Sequence, residues 1–185
     1  CYNTQFDGLT SFFHRTQVKP CGWINVTYKP RKCKTFDEYY DPLIHIKCGY
    51  SAFKHVESIE MANFMIASFD IEVVPMVGEE IPQGYSRFPI ALAANDKIIN
   101  ICLIFQRCND ETPLAKYNII LGECDQLKAE SYSDSINICC KSERDVIISM
   151  GNLLNKFKPD IMTGYNILGF DWRYIYERAR RLNCL

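Results

Sequence analysis

The sequence lacks any pair of cysteines in C-x-x-C spacing, although it contains ten cysteines in 185 residues. Its three histidines, His14, His45 and His55, stand in no zinc-binding spacing with those cysteines. Most of the cysteines lie in apolar segments, which predicts free or buried thiols in a reducing compartment rather than a disulfide framework. In such a compartment the sequon at Asn25-Val26-Thr27 is incidental.

The sequence also lacks an excess of either charge and any long apolar run. Lys and Arg number 21 and Asp and Glu 22, a formal net charge of −1, so contact with nucleic acid would depend on local basic patches. Ile98–Phe105, the longest apolar run, is far shorter than the ~18 residues of a membrane span, and no charged-then-apolar leader is present. These absences predict a soluble protein without a membrane partner.

The length suits one large or two small domains, at about 100–200 residues each. The chain starts at Cys1 and stops at Leu185 within a predicted helix, so we expect it to be a piece of a longer protein. We predict a boundary near Ala62, between domains at 1–62 and 63–185. The first domain is predicted to contain a helix over Phe6–Val18, a strand over Trp23–Val26 and a basic stretch from Tyr28 to Lys34. That stretch could follow a phosphate backbone, but its proline favours a solvated turn.

Two carboxylates follow the apolar run from Phe64 to Ala67, in the sequence Ser68-Phe69-Asp70-Ile71-Glu72. The run predicts a central strand that is buried on both faces until its end reaches a cleft. Side chains alternate along a strand, so Asp70 and Glu72 share one face and repel each other unless a cation lies between them. Hard divalent ions such as Mg²⁺ prefer such oxygen ligands. The alternative is a strand end that surfaces with two solvated acids.

The chain after Glu72 alternates between turn signals and regular elements. Proline and glycine between Pro75 and Pro89 predict a long loop along the rim of the carboxylate site. Strands are predicted over Ile98–Phe105 and Tyr117–Leu121, forming an antiparallel meander with the first strand. A helix over Ser142–Phe157 and a strand over Ile161–Thr163 complete the pattern. It predicts an α/β fold with a mixed sheet flanked by helices.

A second polar motif, Gly164-Tyr165-Asn166-Ile167-Leu168-Gly169-Phe170-Asp171-Trp172, joins the last strand to a final helix. This helix is predicted from an apolar stripe and from two ion pairs at i,i+4 spacing. The stripe contains Trp172, Ile175, Tyr176, Ala179 and Leu182, and the pairs are Arg173 with Glu177 and Glu177 with Arg181. Asp171 lies in the first turn, where an acid also suits the helix dipole, so a capping role is the alternative to catalysis.

The order of these motifs resembles the proofreading exonuclease region of family B DNA polymerases. Asp70 and Glu72 match the first exonuclease motif of that family. Asn166 with Phe170-Asp171 matches the second, within Thr163-Gly164-Tyr165-Asn166-Ile167. The stretch from Phe12 to Ile24 resembles the segment that precedes this domain in delta-type enzymes and in polymerases of large eukaryotic DNA viruses. The resemblance covers most of the chain and is weakest between Met76 and Ser135.

The resemblance implies a ribonuclease-H-like fold, preceded by the C-terminal part of a mixed α+β N-terminal domain. It implies that Asp70, Glu72 and Asp171 are catalytic and hold two divalent ions, Mg²⁺ or alternatively Mn²⁺. Asn166 and Phe170 would contact DNA, although Phe170 could equally be a core residue. The implied partners are the single-stranded 3′ end of a primer, the remainder of the polymerase chain and a processivity clamp. The implied location is the nucleus or a cytoplasmic viral replication site.

A third exonuclease motif of that family, Tyr-x-x-x-Asp, is absent from the 185 residues, as are the polymerase motifs. We therefore expect these residues alone to be inactive. Two other functions stay open: a stand-alone DEDD-type 3′–5′ nuclease, and a non-catalytic exonuclease-like module that binds single strands. The segment from Phe12 to Ile24 argues against the first, and the intact acids Asp70, Glu72 and Asp171 argue against the second.

Overall fold

The computed structural model describes residues 7–28, 46–75, 87–125 and 134–185. The chain divides into two compact units, Cys1–Met61 and Ala62–Leu185. The division does not identify either unit, so the assignment of 1–62 and 63–185 to two polymerase domains stays a prediction. Within the described ranges, no helix is long and apolar enough to cross a membrane.

The first unit contains one helix and a two-stranded sheet. Helix α1 (Gly8–Thr16) begins after Asp7, whose carboxylate accepts hydrogen bonds from the N–H groups of the first turn, and it ends at Gln17 in the left-handed region. Strands β1 (Trp23–Val26) and β2 (Phe53–Val56) pair antiparallel, with a 3₁₀ turn over Tyr50–Ala52 before β2. The predicted helix and strand are both confirmed, but the basic turn lies almost entirely outside the described residues.

The second unit is built on a five-stranded mixed sheet with the order β6-β5-β4-β3-β7. Its strands are β3 (Met65–Val74), β4 (Lys97–Arg107), β5 (Ala115–Leu121), β6 (Ser135–Cys140) and β7 (Ile161–Thr163). β3, β4 and β5 form the predicted antiparallel meander, whereas β6 runs parallel to β5 and β7 runs parallel to β3. The predicted mixed sheet is therefore confirmed.

Helix α2 (Glu143–Phe157) covers one face of the sheet, packing on β4, β5 and β6. The Ser142 hydroxyl caps its first turn by accepting from the Asp145 N–H at 3.2 Å, and donates to the Asp145 carboxylate at 2.6 Å. The predicted apolar stripe is confirmed, since Val146, Ile147, Met150 and Leu153 are buried. At the end of the helix, the Phe157 ring stacks on Phe105 with centroids 4.1 Å apart. Helix α3 (Asp171–Arg181) follows β7.

Two predictions about the strands need correction. β3 is an interior strand, but β4 holds the centre of the sheet. β3 is fully buried on one face only: Met65, Ala67, Phe69 and Ile71 are buried, whereas Asp70 and Glu72 on the other face are exposed. Strand β6 was not predicted: Ser135-Ile136-Asn137-Ile138 alternates over only four residues, and the strand lies at the edge of the sheet with Ser135 buried and Ile136 51% exposed.

The predicted surface of α3 is also wrong in part. Neither i,i+4 ion pair forms: Glu177 contacts Arg180 at 3.8 Å, and Arg181 donates to the Leu92 carbonyl. The residues buried on this helix are Asp171, Tyr174, Ile175, Arg178 and Ala179, while Tyr176 is 51% exposed. Arg178 is therefore buried, whereas Tyr176, which was expected to be buried, is exposed. Arg178 can be buried because it donates to buried acceptors, which the periodicity of the sequence does not indicate.

Candidate functional site

The first part of the candidate site is the exposed face of β3. In the sheet register Asp70 lies opposite Cys102 on β4, and Glu72 lies opposite Asn100. The intervening Ile71 is buried in the core, so the two carboxylates point away from the core on the same face. The register shifts between Glu72 and Val73, which bends β3 directly after the second carboxylate.

The second part is Asp171, which reaches the free edge of β3. β7 pairs with β3 only from Ile66 to Ser68, so the strand continues past the end of its parallel partner. There the Ile71 N–H donates to Asp171 Oδ1 at 3.2 Å. Asp171 is 3% exposed, whereas Asp70 and Glu72 are exposed. The fold thus places a carboxylate from the start of α3 at the backbone position between the two strand acids.

The electrostatics of Asp171 are those of a buried acid without a cation. Burial raises the pKa of its carboxyl group, two backbone N–H groups (its own and that of Ile71) lower it, and the charge of Asp70 raises it further. Among the described residues no ion pair involves Asp171. Burial, reinforced by the charges of Asp70 and Glu72, also raises the pKa of the Cys102 thiol. The negative charge on this face therefore contributes to the raised pKa of both neighbouring groups, Asp171 and Cys102.

The turn between β7 and α3 brings Asp171 to this position. Gly164 lies so close to β3 that an added Cβ would be 2.4 Å from the Phe69 carbonyl oxygen. Asn166 adopts φ 51°, the left-handed conformation that asparagine tolerates, and turns the chain back. Trp172 then donates its N–H to the Ile167 carbonyl at 2.9 Å and packs its ring edge-on against Phe69, with centroids 4.9 Å apart.

The two predicted DNA contacts lie on or next to this turn. Asn166 is exposed, and its carbonyl accepts from the N–H groups of Gly169 and Phe170. Phe170 is half-buried: its ring contacts Tyr174 on one side and Phe88 on the other, each at 5.3 Å between centroids. Phe170 therefore packs against the core and also faces an external cavity. This position fits both alternatives that the sequence left open for Phe170, a DNA contact and a core residue.

The cavity beside Phe170 has a volume of about 300 Å³. It lies between the start of α3 and residues 88–92, the described part of the chain that precedes β4. Its lining combines aromatic and aliphatic side chains with one cation and one acid: Phe88, Pro89, Ile90, Ala91, Leu92, Gly169, Phe170, Arg173, Tyr174 and Glu177. Phe88 is 75% exposed, which is unusual for an aromatic ring in contact with another.

A buried ionic network fixes these walls behind the cavity. Arg178, 1% exposed, forms a two-point ion pair with Glu143 of α2 and donates to the carbonyls of Ala91 and Ala93. Glu143 in turn accepts from the Ile98 N–H at 2.9 Å. The network ties α2, α3 and the segment before β4 into one rigid body.

A second buried acid holds the same segment. Asp96 accepts two hydrogen bonds from the Arg87 guanidinium, at 2.5 and 2.6 Å, and one from the Ile90 N–H. The Tyr174 hydroxyl donates to the Asp96 carbonyl at 3.0 Å, and burial raises the pKa of Tyr174 to about 12. The phenol therefore stays a neutral donor at every physiological pH.

The three carboxylates have the chemistry of a magnesium site, but they are not arranged around the position of an ion. Asp70, Glu72 and Asp171 offer carboxylate oxygens, the ligands that hard divalent ions prefer. Within the ranges that the structure describes, however, no group of three or more His, Cys, Asp or Glu side chains is arranged to hold a metal ion. The three acids are neighbours along the edge and face of β3, and their assignment as metal ligands stays a prediction.

Sequence reasoning missed three features of the site. It did not foresee the close approach of Gly164 to Phe69, the cavity beside Phe170 or the placement of Arg173 in its wall. The sequence did contain a signal for the placement of Arg173: a cation in the first turn of a helix is unfavourable to the helix dipole, which suggests another role. The predicted rim loop can be compared only from residue 87 onward, since residues 76–86 lie outside the described ranges.

The fold and the site together define an α/β domain of the ribonuclease-H-like class. The family model for "DNA polymerase family B, exonuclease domain" matches residues 1–185. The chain therefore belongs to the family B DNA polymerases and corresponds to their exonuclease domain region.

Viral and cellular polymerases are similar to this chain over nearly its full length. It is 26% identical to the DNA polymerase of Acanthamoeba polyphaga mimivirus and 27% identical to the DNA polymerase catalytic subunit of Saimiriine herpesvirus 2, each over 98% of the chain. It is 25% identical to the DNA polymerase delta catalytic subunit of Caenorhabditis elegans, again over 98%. The chain spans only 10% of the length of the first relative and 16% of the other two.

Proposed function

We propose that this region belongs to a replicative DNA polymerase and forms part of its 3′–5′ proofreading exonuclease. One observation carries the proposal: the Asp171 carboxylate accepts a hydrogen bond from the Ile71 N–H, between Asp70 and Glu72. Residues a hundred positions apart in sequence are thereby brought to one point of the sheet. Family membership supplies the reaction class, and the geometry supports these three acids as its centre.

In this proposal Asp70, Glu72 and Asp171 hold two divalent ions, Mg²⁺ or Mn²⁺. When bound, such ions would activate the attacking water and would stabilise charge on the attacking and leaving oxygens of the 3′-terminal phosphodiester. The protein contributes fixed positions: β3 holds two of the carboxylates on one face, and the Ile71 N–H orients the third. The raised pKa of Asp171 falls again once a cation shares its environment, because an opposite charge favours the ionised carboxylate.

The substrate in this proposal is the single-stranded 3′ end of a primer. Asn166 offers an exposed amide beside the acids, and Phe170 offers the wall of the adjoining cavity. The other partners are the rest of the polymerase chain and a processivity clamp, and the setting is intracellular: a nucleus or a cytoplasmic viral replication site. The third motif, Tyr-x-x-x-Asp, would be supplied by sequence outside the 185 residues.

The experiment replaces Asp70 and Glu72 together by alanine in the longer polymerase chain. We expect loss of metal-dependent digestion of single-stranded DNA by roughly 10³-fold, because ions at such sites supply several kcal/mol of transition-state stabilisation. Primer extension should persist, since the two acids do not build the polymerase site. Both rates are measured with Mg²⁺ on 3′-labelled oligonucleotides.

The control variant replaces Asp110 and Glu111, two exposed acids near the turn between β4 and β5, by alanine. It removes the same charge and should digest DNA at the unchanged rate. Equal digestion by the Asp70/Glu72 variant and the control would refute the catalytic assignment. Digestion absent from the unmodified chain, with single-strand binding retained, would instead favour the non-catalytic module, which the open arrangement of the three acids allows.

A further inference from the structure

Arg173 is an exposed cation without a partner in the described part of the chain. The sequence predicts an ion pair with Glu177, but the Glu177 carboxylate contacts Arg180 instead, at 3.8 Å. Arg173 forms no ion pair and donates no side-chain hydrogen bond among the described residues. Its guanidinium, which carries five donors in a planar fork, is therefore available to an external acceptor.

The position of Arg173 is unfavourable for the helix that carries it. It lies in the first turn of α3, where the helix dipole presents partial positive charge and disfavours cations. The residue before the helix, Phe170, provides no side-chain cap, so the acid that offsets the dipole in this turn is Asp171. Asp171 forms no ion pair with Arg173 among the described residues, so the guanidinium itself is not neutralised.

The surroundings of Arg173 specify what could bind there. Its side chain lines the 300 Å³ cavity together with the rings of Phe88 and Phe170. Phe170 immediately precedes Asp171 in the chain, although none of the three acids lines the cavity. A molecule that fills the cavity would need an apolar, planar group for the rings and an anionic group for the guanidinium. A single nucleic-acid strand offers both, as bases and phosphates.

We propose that Arg173 binds a backbone phosphate of the single strand whose 3′ end is hydrolysed, and so positions that strand. The inference rests on the proposed function and adds a residue that the motifs do not contain. The proposed divalent ions would neutralise charge at the terminal phosphodiester only, so a cation of the protein is suited to the next phosphates of the strand. Arginine suits the role because its planar fork matches phosphate oxygens two at a time. Glu177, the other charged group in the cavity wall, forms an ion pair with Arg180.

The test uses the longer polymerase chain with Arg173→Gln and, as the matched control, Arg144→Gln. Both variants remove one exposed arginine from the first turn of a helix, but Arg144 lies in α2 and does not line the cavity. We expect Arg173→Gln to raise KM for single-stranded DNA roughly 3- to 10-fold, the loss of a charge-assisted contact, with kcat changed less than about 2-fold. The logarithmic slope of kcat/KM against salt should decrease by about 0.7, the value of one lost phosphate contact on a single strand.

Two further measurements separate phosphate binding from a structural role. Arg173→Lys should restore most of the salt slope, because the cation is retained. Oligonucleotides with one neutral methylphosphonate at successive positions from the 3′ end should reveal one position at which Arg173→Gln has no further effect. If the parent chain digests single strands but the Arg173 and Arg144 variants have the same KM and salt slope, the inference is overturned. Failure of the parent chain to digest single strands at all would overturn the proposed function instead.

Discussion

Glu143 and Asp171 are two buried acids of the same unit with opposite surroundings. Glu143 is 5% exposed and Asp171 3% exposed. Glu143 is held by the Arg178 guanidinium and by a backbone N–H. Asp171 accepts from backbone N–H groups but has no ion pair within the described ranges, and Asp70 lies near enough to raise its pKa.

The difference separates an acid that has a buried cation from one that has only backbone donors among the described residues. Breaking a buried ion pair is costly because it leaves a charge uncompensated, so proteins rarely bury a carboxylate without a cation. Glu143 follows this rule through Arg178 and needs nothing more. Asp171 has no such cation among the described residues, and the function proposed above would supply one as a bound divalent ion.

The largest expected effect comes from breaking the compensated region. Arg178→Met leaves Glu143 buried without its partner and removes donors from the Ala91 and Ala93 carbonyls. We expect the free energy of unfolding to fall by about 3–5 kcal/mol, the usual cost of breaking a buried pair. Urea denaturation at neutral pH measures it.

The double variant Glu143→Gln, Arg178→Met is the control for this prediction. Glutamine keeps an acceptor for the Ile98 N–H but carries no charge. Part of the lost stability should therefore return, giving a coupling free energy between the two sites. Simple additivity of the two single changes would mean that the pair does not act as a unit.

A smaller effect is expected from Gly164→Ala, which perturbs the uncompensated region. The new methyl group would lie 2.4 Å from the Phe69 carbonyl oxygen, a backbone atom that cannot move aside cheaply. We expect a destabilisation of about 1–3 kcal/mol, together with reduced exonuclease activity because Asp171 moves away from Ile71. Chemical denaturation and single-strand digestion are both measured on the longer polymerase chain.

Gly151→Ala provides the matched control, since an added Cβ there meets nothing within 4 Å and the residue lies inside α2. Alanine in a helix should stabilise by about 0.5–1 kcal/mol. If both glycine variants had the same sign of effect on stability, the close approach at Gly164 would not be the constraint we infer.

The smallest effect is expected from Asp171→Asn, and its sign depends on pH. The folded-state pKa of Asp171 is raised, so the protonated acid carries no penalty below the unfolded pKa and stability is lost as pH rises through the folded pKa. Asparagine keeps an acceptor for the Ile71 N–H without the charge. At neutral pH without divalent ions the variant should match or exceed the parent by about 1 kcal/mol at most. Thermal unfolding at pH 7 and pH 3.5 measures the gap.

The gap should close at pH 3.5, where the parent acid is protonated as well. Adding Mg²⁺ at neutral pH should stabilise the parent and leave the variant unchanged, because binding to the folded state alone raises its stability. A stability difference that is constant across pH would show that Asp171 is not an uncompensated charge, and would remove the contrast with Glu143.

Sequence periodicity predicted the elements whose residues repeat cleanly. The stripe of α2 and the apolar run of β3 both have a strong period, and both elements formed close to the predicted bounds. Strand β6 was missed because its alternation covers only four residues and because, at the sheet edge, Ser135 is buried while Ile136 is exposed. The ion pairs of α3 failed because Glu177 and Arg181 found other partners, a choice made by neighbours rather than by spacing.

By itself the sequence determined the alternation that places Asp70 and Glu72 on one face, the start of a helix at Asp171 and the motifs that identify the family. These follow from local rules, the period of a strand and the capping of a helix. Only the tertiary structure decided that β7 stops at Thr163, opposite Ser68, and leaves the Ile71 N–H to Asp171. It alone also gave Glu143 a cation and left Asp171 without one among the described residues, because partners a hundred residues away are set by sheet register and packing, on which local sequence places no constraint.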